Sequence, residues 1–149
     1  MRHLIERVLE LTEEEQVAPV EAPPPAEGHA TDEELRSLLE SLQPRIGVYG
    51  VGGAGCNAAN RLFDEGLFEN TYVTGYAINT DAQALLMSSL DQKVLIGRTA
   101  RGRGAGGDPT KGEAAALESE MALRQITSDT QLAIITAGMG GGSGTGAAG

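Results

Sequence analysis

Seven consecutive residues carry the clearest chemistry in this chain: Gly140-Gly141-Gly142-Ser143-Gly144-Thr145-Gly146. Glycines leave backbone N–H groups bare, and Ser143 and Thr145 add hydroxyls, so the run offers a concave set of donors suited to phosphate oxygens. The apolar stretch before it, Leu132-Ala133-Ile134-Ile135-Thr136-Ala137, reads as a buried β-strand. No Gly-Lys-Ser/Thr follows at Walker spacing and no lysine lies nearby, which excludes that motif. A flexible linker would not normally follow directly on a fully apolar strand.

A second glycine set reads Gly50-Val51-Gly52-Gly53-Ala54-Gly55-Cys56-Asn57. It follows a predicted strand, Arg45 to Tyr49, opens a predicted helix through Phe63, and satisfies the Gly-x-Gly-x-x-Gly dinucleotide spacing. Alone, that spacing also serves ordinary strand-to-helix turns. An NAD-dependent oxidoreductase would use it as a pyrophosphate turn, with an acid ending the second strand to hold ribose; Asn79 stands there instead. In a third reading, the chain is a non-catalytic interaction module whose acidic tail binds partners while the α/β part is scaffold.

Residues 45–149 must supply the frame. Strands predicted at 45–49, 72–79, 93–96 and 131–137 alternate with helices at about 55–66, 81–90 and 110–127. Such alternation implies an α/β fold with a doubly wound, Rossmann-like parallel sheet. In strand order 3-2-1-4 both glycine loops emerge side by side at the carboxyl edge, where such sheets bind ligands. Residues 1–44 differ. Leu4, Ile5, Val8 and Leu9 form one helical stripe, a proline-rich spacer runs from Ala18 to Gly28, and Thr31 with Glu34 forms a capping box that starts a second short amphipathic helix. Acids outnumber bases in the first stripe's neighbourhood, which favours a protein groove over an anionic membrane surface.

The formal charge of −10 sits mostly in this extension: residues 1–45 hold eleven acids and four bases, residues 46–149 ten and seven. No basic stripe argues for nucleic acid, and no run approaches the roughly 20 apolar residues of a membrane span. Cys56 is the single cysteine, so no intrachain disulfide forms, as suits a reducing cytoplasm.

Four segments together carry a family resemblance: Gly50 to Asn57, Asn79-Thr80-Asp81-Ala82-Gln83-Ala84-Leu85, Gly104-Ala105-Gly106-Gly107-Asp108-Pro109, and Thr136 to Ala148. In order and spacing they resemble the first half of the FtsZ family, tubulin-related GTPases that polymerise into the prokaryotic division ring. The acidic amphipathic start resembles archaeal members. The resemblance implies GTP or GDP with Mg²⁺ as ligands, and head-to-tail filaments of the protein itself. It further implies division-ring and membrane-tethering partners, and a cytoplasmic location at the division site. Residue by residue, it assigns Gly53, Ala54, Gly55, Cys56 and Asn57 to the nucleotide at the first turn. Gly140, Gly141, Gly142, Ser143, Gly144, Thr145 and Gly146 take the phosphates. Ala105, Gly106 and Gly107 take the γ-phosphate, and Asn79 and Asp81 lie near nucleotide and metal. Cys56 also fits as a buried filler, and Asp81 as a helix cap.

Two departures follow from that likeness. Ser143 stands where the family usually has threonine, keeping the hydroxyl, and Asp108 where asparagine is common. A carboxylate there would repel phosphate unless Mg²⁺, Arg101 or Arg103 offsets it; Arg98, Arg101 and Arg103 read chiefly as solvated loop charges. The family's base-recognition residues, central helix and activating loop have no counterpart in these residues, so the sheet is expected to stop after its fourth strand. Both histidines, His3 and His29, lie in the tail, and no catalytic base is assigned. The expectation is a phosphate-binding half-site with no turnover of its own.

Overall fold

The structure, a computed structural model, describes residues 30–149. The apolar stripe at Leu4–Leu9 and the proline-rich spacer lie outside them. The chain divides after Glu40, and Ser41–Gly149 carries the sheet.

Helix α1, Asp32–Leu42, starts on the expected capping box. Thr31 N–H donates to Glu34 Oε2 at 2.7 Å, and Glu34 N–H to Thr31 Oγ1 at 3.2 Å. Its leucine stripe, Leu35, Leu38, Leu39 and Leu42, is exposed.

Strands β1 (Ile46–Val51), β2 (Val73–Asn79), β3 (Gln92–Leu95) and β4 (Leu132–Ala137) form one parallel sheet in the order β3-β2-β1-β4. The expected α/β architecture and strand order are both present. Val51 registers with Ile78 on one side and Ala137 on the other, so three strands end level.

Side chains alternate across this sheet, as the two-residue period of a strand demands. One face packs Tyr49, Val51, Ile78, Ile96 and Ala115 against helices α4 (Pro109–Glu118) and α5 (Glu120–Thr127). The other packs Cys56, Ala59, Ala77, Leu85 and Leu90 under helices α2 (Gly52–Asp64) and α3 (Ala82–Leu86).

The structure corrects four sequence expectations. The helix expected at 110–127 breaks at Ser119, whose ψ of 14° leaves helical geometry and whose hydroxyl accepts the Gly97 N–H at 3.0 Å. Helix α3 spans only Ala82–Leu86, because Ser88 Oγ turns to Asn60 Oδ1 at 2.6 Å and accepts the Leu90 N–H at 3.3 Å, so the chain bends. Strand β4, read from its apolar run as buried, is half exposed at Leu132, Ile134 and Ile135 (50%, 48% and 56%), the bare edge expected of a sheet that stops after its fourth strand, because β4 pairs only with β1. Finally, the 140–146 run is not all loop. Helix α6, Ser143–Ala147, begins inside it.

Cys56 sits at 4% exposure with its thiol donating to Gly50 O at 3.3 Å and Ile78 O at 3.6 Å. Burial pushes the thiol up, and the Ile78 carbonyl bond pulls it only partly back. The folded state therefore holds this proton more tightly than the unfolded chain. The associated stability is present below the unfolded thiol's value and is lost as pH rises through the folded one. Alkylation at pH 8, followed by peptide mass spectrometry of the full-length gene product, should modify Cys56 roughly tenfold or more slowly in buffer than in denaturant. Equal rates would place the thiol outside the core.

Candidate nucleotide-phosphate site

Three glycine-bearing segments meet where β1 and β4 end. At the β1–α2 turn, Gly52 adopts φ +71°, and a Cβ there would lie 2.6 Å from Gly144 N. One turn on, a Cβ at Gly55 would strike the Thr136 carbonyl oxygen. These two positions admit only glycine, and they bring the start of α2 against the end of β4.

The third segment, 104–108, follows β3 and is held from two sides. Gly104 N–H donates to Thr80 O at 3.1 Å, and a Cβ on Gly142 would lie 2.7 Å from Ala105 Cβ. Gly106 and Gly107 have positive φ, 62° and 79°, with no atom within 4 Å of a virtual Cβ. The segment is thus anchored at its ends and open in its middle.

Between the first and last segments lies a cleft of about 360 Å³ lined by Val51, Gly53, Ala54, Gly138 and Gly140–Gly144. Virtual Cβ atoms at Gly53, Gly140 and Gly141 meet nothing within 4 Å. Among the described residues, no turn or loop hydrogen bond engages the backbone N–H groups of 52–54, 105–107 or 139–145, whereas Gly146 N–H donates to Gly142 O at 2.9 Å. Thr145 Oγ1 is buried without a partner. Gly53, Ala54 and Gly140 are exposed at the cleft, and the start of a helix beside a glycine loop offers backbone donors of the kind that suit an anion.

The expected residues therefore separate by role. Gly53, Ala54, Gly140, Gly141, Gly142, Ser143 and Gly144 line the cleft, while Ala105 approaches it through Gly142; Gly106, Gly107 and Thr145 are not part of its lining. Gly55 and Gly146 are packing glycines; a Cβ at Gly146 would meet the Pro109 carbonyl. Cys56 turns its side chain into the sheet, and Asn57 is exposed. Asn79 Oδ1 accepts the Asp81 N–H at 3.3 Å, and Asp81 Oδ1 caps α3 by accepting from Gln83 N at 2.9 Å and Ala84 N at 3.3 Å. Asn79 and Asp81 lie outside the cleft lining.

Asp108 does not face the cleft as a bare charge. Its Oδ1 caps α4 through Thr110 N at 3.0 Å, and its Oδ2 lies 3.9 Å from Lys111 Nζ. The offset comes from that helix start and Lys111 in place of Arg101 or Arg103, both exposed. Sequence reading overlooked Thr80, 1% exposed, whose Oγ1 lies 2.6 Å from Ser143 Oγ. It also overlooked Gly112, where a Cβ would strike Gly142 O. A glycine inside a helix was the available signal for Gly112; none existed for Thr80.

Comparison with known proteins agrees with this geometry. Residues 45–149 match the tubulin/FtsZ family GTPase domain. The chain belongs to the tubulin/FtsZ family. It is 46% identical over 152 residues to cell division protein FtsZ 1 of Pyrococcus abyssi, covering 99% of this chain and 39% of that protein. An empty FtsZ dimer from M. jannaschii superposes with a TM-score of 0.70 at 45% identity, covering 78% of this chain and 34% of that one. A GTPγS-bound protofilament of CetZ2 from Haloferax volcanii gives 0.60 at 28% identity, covering 70% and 33%. The chain thus spans about two fifths of the length of the archaeal FtsZ relatives it matches, and its affinity is to archaeal FtsZ, as the amphipathic start suggested.

The packing roles make a sharp contrast between adjacent glycines. Gly142→Ala forces a methyl onto Ala105 and the Asp108 backbone and should cost about 1–3 kcal/mol of stability. Gly141→Ala, with open space, should stay within about 0.5 kcal/mol. Denaturant titration of the full-length gene products reads both; equal costs would remove the inter-loop contact from the picture. A Gly142→Leu substitution would act through the same contact, prising the two loops apart.

Proposed function

We propose that the protein binds GTP in this cleft. The β- and γ-phosphates would lie on the N–H groups of 139–145, 52–55 and 105–107, and the protein would polymerise as an FtsZ-type GTPase of cell division. The observation that carries the reading is the meeting of the β1–α2 turn and the 138–144 glycine loop in one cleft, with Ala105 packed behind Gly142. Membership of the GTPase family supports guanine as the base, and the GTPγS-bound CetZ2 protofilament supports coupling of nucleotide to filaments.

The electrostatics favour a metal companion. No basic side chain lines the cleft, and residues 46–149 carry a net negative charge, so backbone dipoles alone face the phosphates. Among the described residues no three of His, Cys, Asp and Glu cluster as metal ligands. Mg²⁺ fits only as phosphate-borne cargo, with its shell drawn from the nucleotide and water. When bound, it would neutralise phosphate charge; the chain's own part is to bind and orient.

Hydrolysis would need groups from outside residues 30–149, where no general base stands beside the cleft. A neighbouring subunit of the filament is the family's source for such groups. Division-ring and membrane-tethering partners and a division-site location belong to the same reading, and no described helix is long and apolar enough to cross a membrane.

Displacement of a fluorescent guanine nucleotide from the full-length gene product tests the ligand. GTP should compete roughly a hundredfold better than ATP or NAD, a difference of about 2.7 kcal/mol. NAD competing equally would return the oxidoreductase reading. Residues 1–149 alone, with the half-exposed β4 edge, should self-associate and hydrolyse no GTP above background. A monomer with steady turnover would refute that part.

A further inference from the structure

Thr80 is among the most deeply buried polar residues described, at 1% exposure, and it reaches the cleft lining through a hydrogen bond to Ser143. It sits between Asn79, the last residue of β2, and the α3 cap Asp81, and it makes two bonds to other crossovers. Its carbonyl accepts Gly104 N–H at 3.1 Å, which begins the 104–107 loop. Its hydroxyl lies 2.6 Å from Ser143 Oγ, at the start of α6 in the cleft wall. One residue thereby joins the ends of β2, β3 and β4.

The two hydroxyls hold two protons and share one bond. Among the described residues neither oxygen has another partner. If Ser143 donates to Thr80, the Thr80 proton points into a buried site with no acceptor, which is costly. If Thr80 donates to Ser143, the Ser143 proton is left over, and Ser143 lines the cleft. An anion there satisfies it, and the chain Thr80 O–H to Ser143 O–H to anion then has every donor used.

We infer that Thr80 is a positioning residue of the phosphate site: its hydroxyl turns the Ser143 proton toward the cleft while its carbonyl holds the 104–107 loop beside it. The inference rests on the nucleotide reading above for the identity of the anion. It adds that Ser143 binds phosphate only as half of a hydroxyl pair, and that the loop bordering the γ-phosphate and the phosphate loop are set by one buried side chain.

The test is a cycle on the full-length gene product with a fluorescent GTP analogue, using Thr80→Val, Thr80→Ser, Ser143→Ala and the Thr80→Val/Ser143→Ala double variant. Thr80→Val keeps the shape and removes the hydroxyl. It should weaken binding about tenfold, Thr80→Ser should restore it to within about twofold, and the double variant should bind no more weakly than Ser143→Ala alone. Parent-like affinity for Thr80→Val, or additive losses, would overturn the inference. Hydrogen exchange without nucleotide separates this outcome from failure of the GTP reading. If the unaltered protein binds no GTP but Thr80→Val speeds exchange at Gly104–Gly107 and at Gly142–Gly144 together, the nucleotide reading falls and the latch stands. Unchanged exchange at both loops removes the latch itself. If Thr80→Val does not fold, Thr80→Ala, which also removes the hydroxyl, carries the same comparison.

Discussion

The approach of α2 to the end of β4, closed by Gly55 against the Thr136 carbonyl, is the contact on which the rest of the site depends. Any side chain at Gly55 would push the helix start away from the sheet edge. Gly52 repeats the constraint one turn earlier against Gly144, and Gly142 and Gly146 repeat it against the backbone of Asp108 and Pro109. Backbone thus meets backbone at four places in and behind the cleft wall. Interiors pack too densely for such contacts to open by even a methyl group without strain. What the glycines provide here is mostly proximity, and only Gly53, Gly140 and Gly141 provide access.

That closeness has an electrostatic result. The cleft is walled largely by glycine backbone, and no lysine or arginine lines it. The two nearby carboxylates, Asp81 and Asp108, are each turned onto the first turn of their own helix. Capping uses their charge where the helix dipole favours it and keeps it from opposing a bound anion. A site made this way depends on fixed dipoles more than on mobile charges, so its strength follows from how firmly the loops are held.

The holding is uneven. The face under α4 and α5 packs Tyr49 on Tyr76, ring centroids 5.0 Å apart, with Tyr49 Oη 2.6 Å from Thr130 Oγ1, so β1 is tied to the start of β4 at its amino end. Yet β4 has one neighbour along its whole length, its residues Leu132 to Ile135 are exposed, and a cleft of about 360 Å³ opens between Ile135, Leu123 and Ala148. Apolar surface of that extent beside a lone edge strand makes the β4 side the weak flank of the sheet.

Much of this was legible in the chain itself. Hydrophobic alternation and glycine punctuation gave the four parallel strands and their order, because a right-handed crossover leaves few other arrangements. The glycine-hydroxyl run and its partner at 50–57 announced an anion site, and the capping box at Thr31 announced α1 by type and spacing alone. The division of labour among the glycines was not legible: Gly141 and Gly142 are adjacent and identical, and only the position of Ala105, thirty-seven residues away in sequence, makes one free and the other essential to packing. Nor did the sequence distinguish Thr80 from any threonine after a strand, since its role comes from Ser143 and Gly104 arriving from other crossovers. Local periodicity and residue type determine elements because they act within a few residues; close approach and shared hydrogen bonds join residues distant in the chain, so only the tertiary structure decided them.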